Sequence, residues 1–294
     1  MAKKTTEKKK MSTLEILKRE FSQDIGALIA LGVIVIAALF VIIVPLFIDQ
    51  EYMLAVNPRR LNQPPSATHW LGTEIGGRDV FALLAIGARS SLSIALAVTL
   101  ISGFVGISLG VTAGYFGGKF DNMIMRIVDF ISTLPALVMI IAFLSLVSGF
   151  NVVSFTLIMS FFSWAGIMRL VRARAIQEKE LEYIQASKTL GTPHLKTIFK
   201  ELFPNISSVM IVNMTLATAS NVGLETGLSF LGFGFPFDEP SLGSLISAAS
   251  NAVVLQHRWW IWLPAALFVL ILMLSINTLG RTLNRATDAR LRRG

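Results

Sequence analysis

Five stretches of the chain carry no charged side chain, and their positions set its organisation. They run from Ile25 to Ile48, Ser90 to Gly118, Phe130 to Met168, Leu202 to Leu224 and Ile261 to Gly280. A helix rises about 1.5 Å per residue, so roughly 20 apolar residues cross a hydrocarbon core of about 30 Å. On that scale the third stretch measures about 58 Å, enough for two crossings. Its natural break is Ser148-Gly149-Phe150-Asn151, where small and polar residues favour a turn. The pattern predicts an all-α, polytopic membrane protein with six transmembrane helices and both termini on one side. It divides the chain into a basic N-terminal segment (1–24), a first helix (25–48), an external loop (49–88), a five-helix core (89–281) and a basic tail (282–294). A long internal loop, 169–204, interrupts the core.

Composition agrees. Of 294 residues 53% are hydrophobic and 15% charged, with mean hydropathy +0.66, against about 25% charged in a soluble domain. Of the 26 lysines and arginines, 21 fall on the side of the termini, and only Arg59, Arg60, Arg78, Arg89 and Arg258 fall on the other. Positive charge marks the cytoplasmic side, so both termini and the 169–204 loop are expected in the cytoplasm of a cell-membrane protein. That bias accounts for the net charge of +8 without nucleic acid as a partner. Lys3, Lys4 and Lys8 to Lys10 could open a signal peptide, but the apolar stretch that follows is too long and lacks a small-residue cleavage site. Trp259, Trp260 and Trp262 suit an aromatic belt at the outer boundary of the last span. With no cysteine, and with His69, His194 and His257 far apart, no metal site or thiol chemistry is expected.

The 169–204 loop has helical pattern. Leu181, Ile184 and Leu190 form an apolar side among charges, and Gly191-Thr192-Pro193 then reads as a glycine stop, an N-cap and a first helical proline. Leu195, Ile198, Phe199, Leu202 and Phe203 recur at helical spacing. A short amphipathic helix is therefore expected from Thr192 to Phe203. By its pattern alone it fits either the lipid surface or a groove on another protein.

The segment from Glu182 to Gly191, Glu-Tyr-Ile-Gln-Ala-Ser-Lys-Thr-Leu-Gly, followed by Leu202-Phe-Pro-Asn205, resembles the "EAA" loop of ATP-binding-cassette importer permeases. Gln185, Ala186 and Ser187 stand at the Glu-Ala-Ala positions, Gly191 at the glycine and Pro204 at the proline. The departures are Gln185 for Glu, Ser187 for the second Ala, Glu201 for Ile and Phe203 for Leu. His69 to Asp79, Gly87 to Leu92, Gly114 to Gly118, Asp121 with Met125, Arg126 and Asp129, Leu228 to Gly232, and Asp288 to Arg292 resemble the C-type subunit of oligopeptide and dipeptide permeases. The resemblance covers most of the chain.

The resemblance implies a type I importer transmembrane domain. It implies a translocation path shared with a homologous permease, two ATPase subunits that bind ATP and Mg, and an extracytoplasmic substrate-binding protein that delivers peptide. The ATPase-coupling residues would be Gln185, Ala186, Ser187, Gly191, Thr192, Pro193, His194, Leu195, Ile198 and Phe199. Oligopeptide is the first expectation for the substrate and dipeptide the second; glutathione and nickel chelates are carried by similar permeases. The outer segments 49–88 and 233–258 are the surfaces available to the binding protein.

The residues themselves add three points. Glu225 is the one acidic residue deep in a span and fits either a path or gate residue or an interhelical hydrogen bond. Arg126 and Asp129 are spaced to pair on one helix. The chain has no phosphate-binding Gly-x4-Gly-Lys-Ser/Thr loop, since Gly118-Lys119 runs into Phe120. No catalytic residues and no cofactor of its own are expected. The competing reading is a self-contained secondary transporter or channel, against which the scarcity of mid-membrane ionisable groups argues.

Overall fold

The computed structural model describes residues 21–291 except 23, 50–52, 148–150 and 235–238. The N-terminal lysines and most of the turn expected at 148–151 lie outside those residues.

In chain order the long helices and their breaks are as follows. Helix α1 (Ile25–Ile43) is followed by an irregular cap, 53–79, and then by α2 (Val80–Phe116). Helices α3 (Gly118–Thr133) and α4 (Ala136–Leu146) meet at a bend of 86°. Helix α5 (Val152–Lys179) leads into a short α6 (Glu182–Thr189) and the long α7 (His194–Phe230). Two short helices, α8 (Leu242–Ser247) and α9 (Ala252–His257), precede α10 (Trp259–Leu291). Among the described residues, five helices are long and apolar enough to cross a membrane, and the bent pair makes a sixth crossing if counted as one. The described residues contain no β-strand, only an isolated bridge between Thr73 and Asp79.

Caps explain several boundaries. Asp24 Oδ1 accepts the Ala27 N–H at 3.2 Å and Asp79 Oδ1 the Ala82 N–H at 2.9 Å. Asn151 and Ser154 form a reciprocal capping box that starts α5. Asp79 also holds His69 Nδ1 at 2.7 Å, both groups buried, so the cap is fastened to the first turn of α2. At the other end Asp24 pairs with Arg285, joining the start of α1 to the end of α10.

Two helices outrun their apolar stretches. Helix α2 begins at Val80 rather than near Ser90, because the apolar run 80–86 joins it and Arg89 lies on its exposed side. Helix α5 continues beyond Met168 to Lys179. A charge ends a hydropathy stretch, but arginine, lysine and glutamate are good helix formers.

The expected span beginning at Phe130 is not straight. Pro135 has no N–H, and Leu134 before it is extended at ψ 136. The chain therefore breaks there, and α3 starts back at Gly118 as an amphipathic helix that buries Asp121, Ile124 and Val128. Two ion pairs bind it to α5. Asp121 takes Arg172 through both carboxylate oxygens, and Asp129 takes Arg169 at 2.8 Å. The expected in-helix pair of Asp129 with Arg126 is thus replaced by one across helices, because Arg169 reaches the same carboxylate from α5.

The most extensive packing is between α2 and α5. A Cβ on Gly106, Gly110 or Gly114 would lie 2.8 Å from the carbonyl oxygen of Trp164, Met168 or Arg172 respectively. Backbones that approach so closely gain dispersion contacts over a long seam, the main source of helix association in lipid. At the cap end, α8 docks on α2, α7 and α10, and its Leu242 N–H donates to Ser91 Oγ of α2 at 3.1 Å. Trp260 packs over Gly72 and donates to the Thr73 carbonyl at 3.3 Å, so this tryptophan ties α10 to the cap.

Candidate coupling loop

The site is built on three buried apolar side chains. Ile184 from α6 and Ile198 and Leu202 from α7 pack with Val111, Tyr115, Val171 and Ile206 at the end of the bundle. Ile184 and Leu202 are fully buried. They hold a turn that projects beyond the bundle.

The turn is a Schellman motif. Gly191 has φ 81, its N–H reaches the Lys188 carbonyl at 2.9 Å, and the Thr192 N–H reaches the Ser187 carbonyl at 3.1 Å. This is the glycine stop expected from sequence. Thr192 is not the N-cap, however: Pro193 occupies that place, extended at ψ 140, and α7 starts at His194.

Nor does a separate short helix end at Pro204. A π-turn over Ile198–Leu202, in which the Phe203 N–H bonds to the Ile198 carbonyl, carries the chain into α7 without interruption. The wider turn lies just ahead of the proline, whose missing N–H and bulky ring would otherwise disturb the ladder. The expected helix 192–203 is thus the first part of a 37-residue rod.

Polar contacts brace the two arms. Ser187 Oγ donates to Glu201 Oε1 at 2.7 Å, and Gln185 Nε2 donates to the Lys179 carbonyl at 2.8 Å, satisfying an end group of α5. Tyr183 donates to Glu178 Oε1 at 2.5 Å and accepts from Asn205 Nδ2 at 2.9 Å. Partial burial, then the Glu178 hydrogen bond and charge, push the Tyr183 phenol above its usual range, so it stays neutral.

The apolar positions of the loop divide into two faces. Ile198 turns inward and positions the helix. Leu190, Leu195 and Phe199 turn outward, 85%, 68% and 65% exposed. Gln185, Ala186, Gly191, Pro193 and His194 are also exposed, and Ser187 and Thr192 half-buried. Leu190 joins the expected set as its most exposed apolar member; its place beside the glycine stop was the available signal.

Glu225 is remote from the loop. Its side chain is fully enclosed, accepting from Ser229 Oγ at 2.8 Å and Thr226 Oγ1 at 3.4 Å, with the Ser91 hydroxyl also bonded to it. This links α7 to α2. Among the described residues no group of three or more His, Cys, Asp or Glu is placed to hold a metal.

The sequence profile of the binding-protein-dependent transport system inner membrane components matches residues 106–293, which include the seam and the whole turn. The chain belongs to this family. Among the permeases similar to it is the oligopeptide transport system permease protein OppC of Lactococcus lactis subsp. cremoris, 44% identical over 97% of this chain and 98% of the relative. OppC of Bacillus subtilis is 32% identical over 97% and 92%, and the dipeptide transport system permease protein DppC of that organism 35% over 89% and 82%. The permease is therefore a multi-pass membrane protein of the importer class expected from its EAA-like loop.

Proposed function

We propose that this permease is the C-type subunit of an ATP-driven peptide importer, with oligopeptides as substrate and dipeptides the second choice. The reading rests on similarity along nearly the full chain to oligopeptide permeases. It assigns the chain a homologous permease partner, two ATPases that bind ATP and Mg, and an extracytoplasmic binding protein. The termini and the Gly191 turn face the cytoplasm, where the lysines and arginines lie.

The observation that carries the coupling role is the exposed triad Leu190, Leu195 and Phe199 on a turn pinned from beneath by Ile184, Ile198 and Leu202. A rigid apolar knob of this kind fits a groove on another protein. An ATPase that grips the knob differently before and after ATP binding shifts the helices attached to it; equal grip in both states would shift nothing. Gln185, Ala186, Ser187, Thr192, Pro193 and His194 surround the knob, and Gly191 shapes it.

Reconstitution tests the function. The complex purified through this chain should contain two ATPases and a second permease, and should take up tritiated penta-alanine in proteoliposomes only with ATP and binding protein. Uptake by this chain alone, without ATP, would instead establish a self-contained carrier.

A further inference from the structure

Tyr115 lies in the last turn of α2, buried between the two arms of the loop. Its hydroxyl is 3.0 Å from Nδ1 of His194, the first residue of α7. From the other arm the Lys188 ammonium stands 4.8 Å from the centre of its ring, within range of a cation–π attraction. The His194 ring meets Tyr115 and Phe116 edge-on at 5.7 and 5.8 Å. One phenol therefore touches both sides of the Gly191 turn, while the space beside Gly191 itself is open.

Helix α2 carries this contact to the far end of the molecule. It runs 37 residues from Val80, next to its N-cap Asp79, where His69 fastens the cap, to Phe116. On the way it is seamed to α5 at Gly106, Gly110 and Gly114, holds α8 through Ser91, and holds α7 through Thr99, whose hydroxyl accepts from Asn221 Nδ2 at 2.9 Å.

We propose that Tyr115 is a positioning residue for transport: with His194 and Lys188 it gears α2 to the coupling loop. This rests on the peptide-importer reading above. When the docked turn shifts, the phenol–imidazole bond transfers the shift to α2 and so to the cap at its other end. The bond contributes to coupling only if its strength differs between the two states of the transporter.

The test is Tyr115→Phe in the assembled transporter, measured as tritiated penta-alanine taken up per ATP hydrolysed. The variant keeps the ring, its packing and its cation–π contact, and loses only the hydroxyl. Uptake per ATP should fall about three- to tenfold, the range expected for one lost hydrogen bond, with ATPase co-purification unchanged and the thermal midpoint lowered by no more than about 2–4 °C, the share of that same bond. His194→Ala should lower the ratio similarly, and the double variant should add no further loss. An unchanged ratio in Tyr115→Phe would overturn the proposal. So would a fall matched by loss of assembly or by a drop in thermal midpoint well beyond that of one hydrogen bond, since Tyr115 would then be an anchor only. A wild-type complex without ATP-driven uptake would instead overturn the importer reading itself, and the same assay shows this before any variant is compared.

Discussion

Ser187 and Glu201 are hydrogen-bonded across the Gly191 turn, Oγ to Oε1 at 2.7 Å. Both residues depart from the EAA-loop pattern, where alanine and isoleucine stand, and the structure shows that the two departures are one arrangement. Glu201 has a second oxygen, Oε2, buried without a partner, so the pair holds a carboxylate that depends on its donor. Ser187→Ala should destabilise the purified permease by about 1–2 kcal/mol. Adding Glu201→Ile should restore most of that loss, because two polar partners are replaced together. Thermal unfolding of the two single variants and the double variant measures the coupling, and strict additivity would contradict it.

At Gly191 the backbone, not space, limits substitution. A Cβ there would meet nothing within 4 Å, but φ is 81. Gly191→Asn should therefore be mild, Gly191→Ala intermediate and Gly191→Val worst, the strain being about 1–2 kcal/mol for an ordinary side chain. Peptide uptake per ATP should follow the same order. Uptake by Gly191→Val equal to wild type would show that the left-handed turn is not needed.

The α2–α5 seam responds to size instead. Gly110→Val would drive its side chain into the Met168 carbonyl and Val171, whose nearest atoms lie 2.8 and 2.9 Å from a Cβ at that position. It should abolish the monodisperse peak in detergent chromatography. Gly166→Ala, on α5 with open space around it, should elute like wild type and be as stable or slightly more so.

The two ion pairs of α3 should differ sharply. Asp129 and Arg169 are exposed, at 59% and 42%, while Asp121 and Arg172 are mostly covered, at 11% and 25%. Asp121→Asn leaves a shielded arginine without its carboxylate and should cost about 2–4 kcal/mol. Asp129→Asn should cost less than about 1 kcal/mol. Denaturation in matched detergent compares them directly, and equal losses would contradict the burial argument.

Much of this architecture is legible in the chain. Uncharged stretches mark the crossings because hydrocarbon excludes charge, and Gly191 marks the turn because few residues accept its backbone angles. Three things were hidden for identifiable reasons. Charges at Arg89 and Arg169 end apolar runs without ending helices. Pro135 breaks its span although no charge accompanies it. The loop's apolar positions look like one stripe, yet Ile198 and Leu202 face the bundle while Leu195 and Phe199 face away; only the packing of α2 and α5 beneath them decides which is which. The partnership of Asp121 with Arg172, 51 residues apart, has no local signal. The glycine seam has one, small residues every fourth position from Ser102 to Gly114.

The central claim is that the outward face of the Gly191 turn is where the ATPase binds. Leu190→Asp, Leu195→Asp and Phe199→Asp combined alter only exposed side chains, so the permease should fold and elute as wild type. Quantitative co-purification of the ATPase through this variant is the direct measurement. The account predicts that recovery of the ATPase falls at least tenfold, as expected when apolar anchors are replaced by charge. Recovery equal to wild type would contradict it.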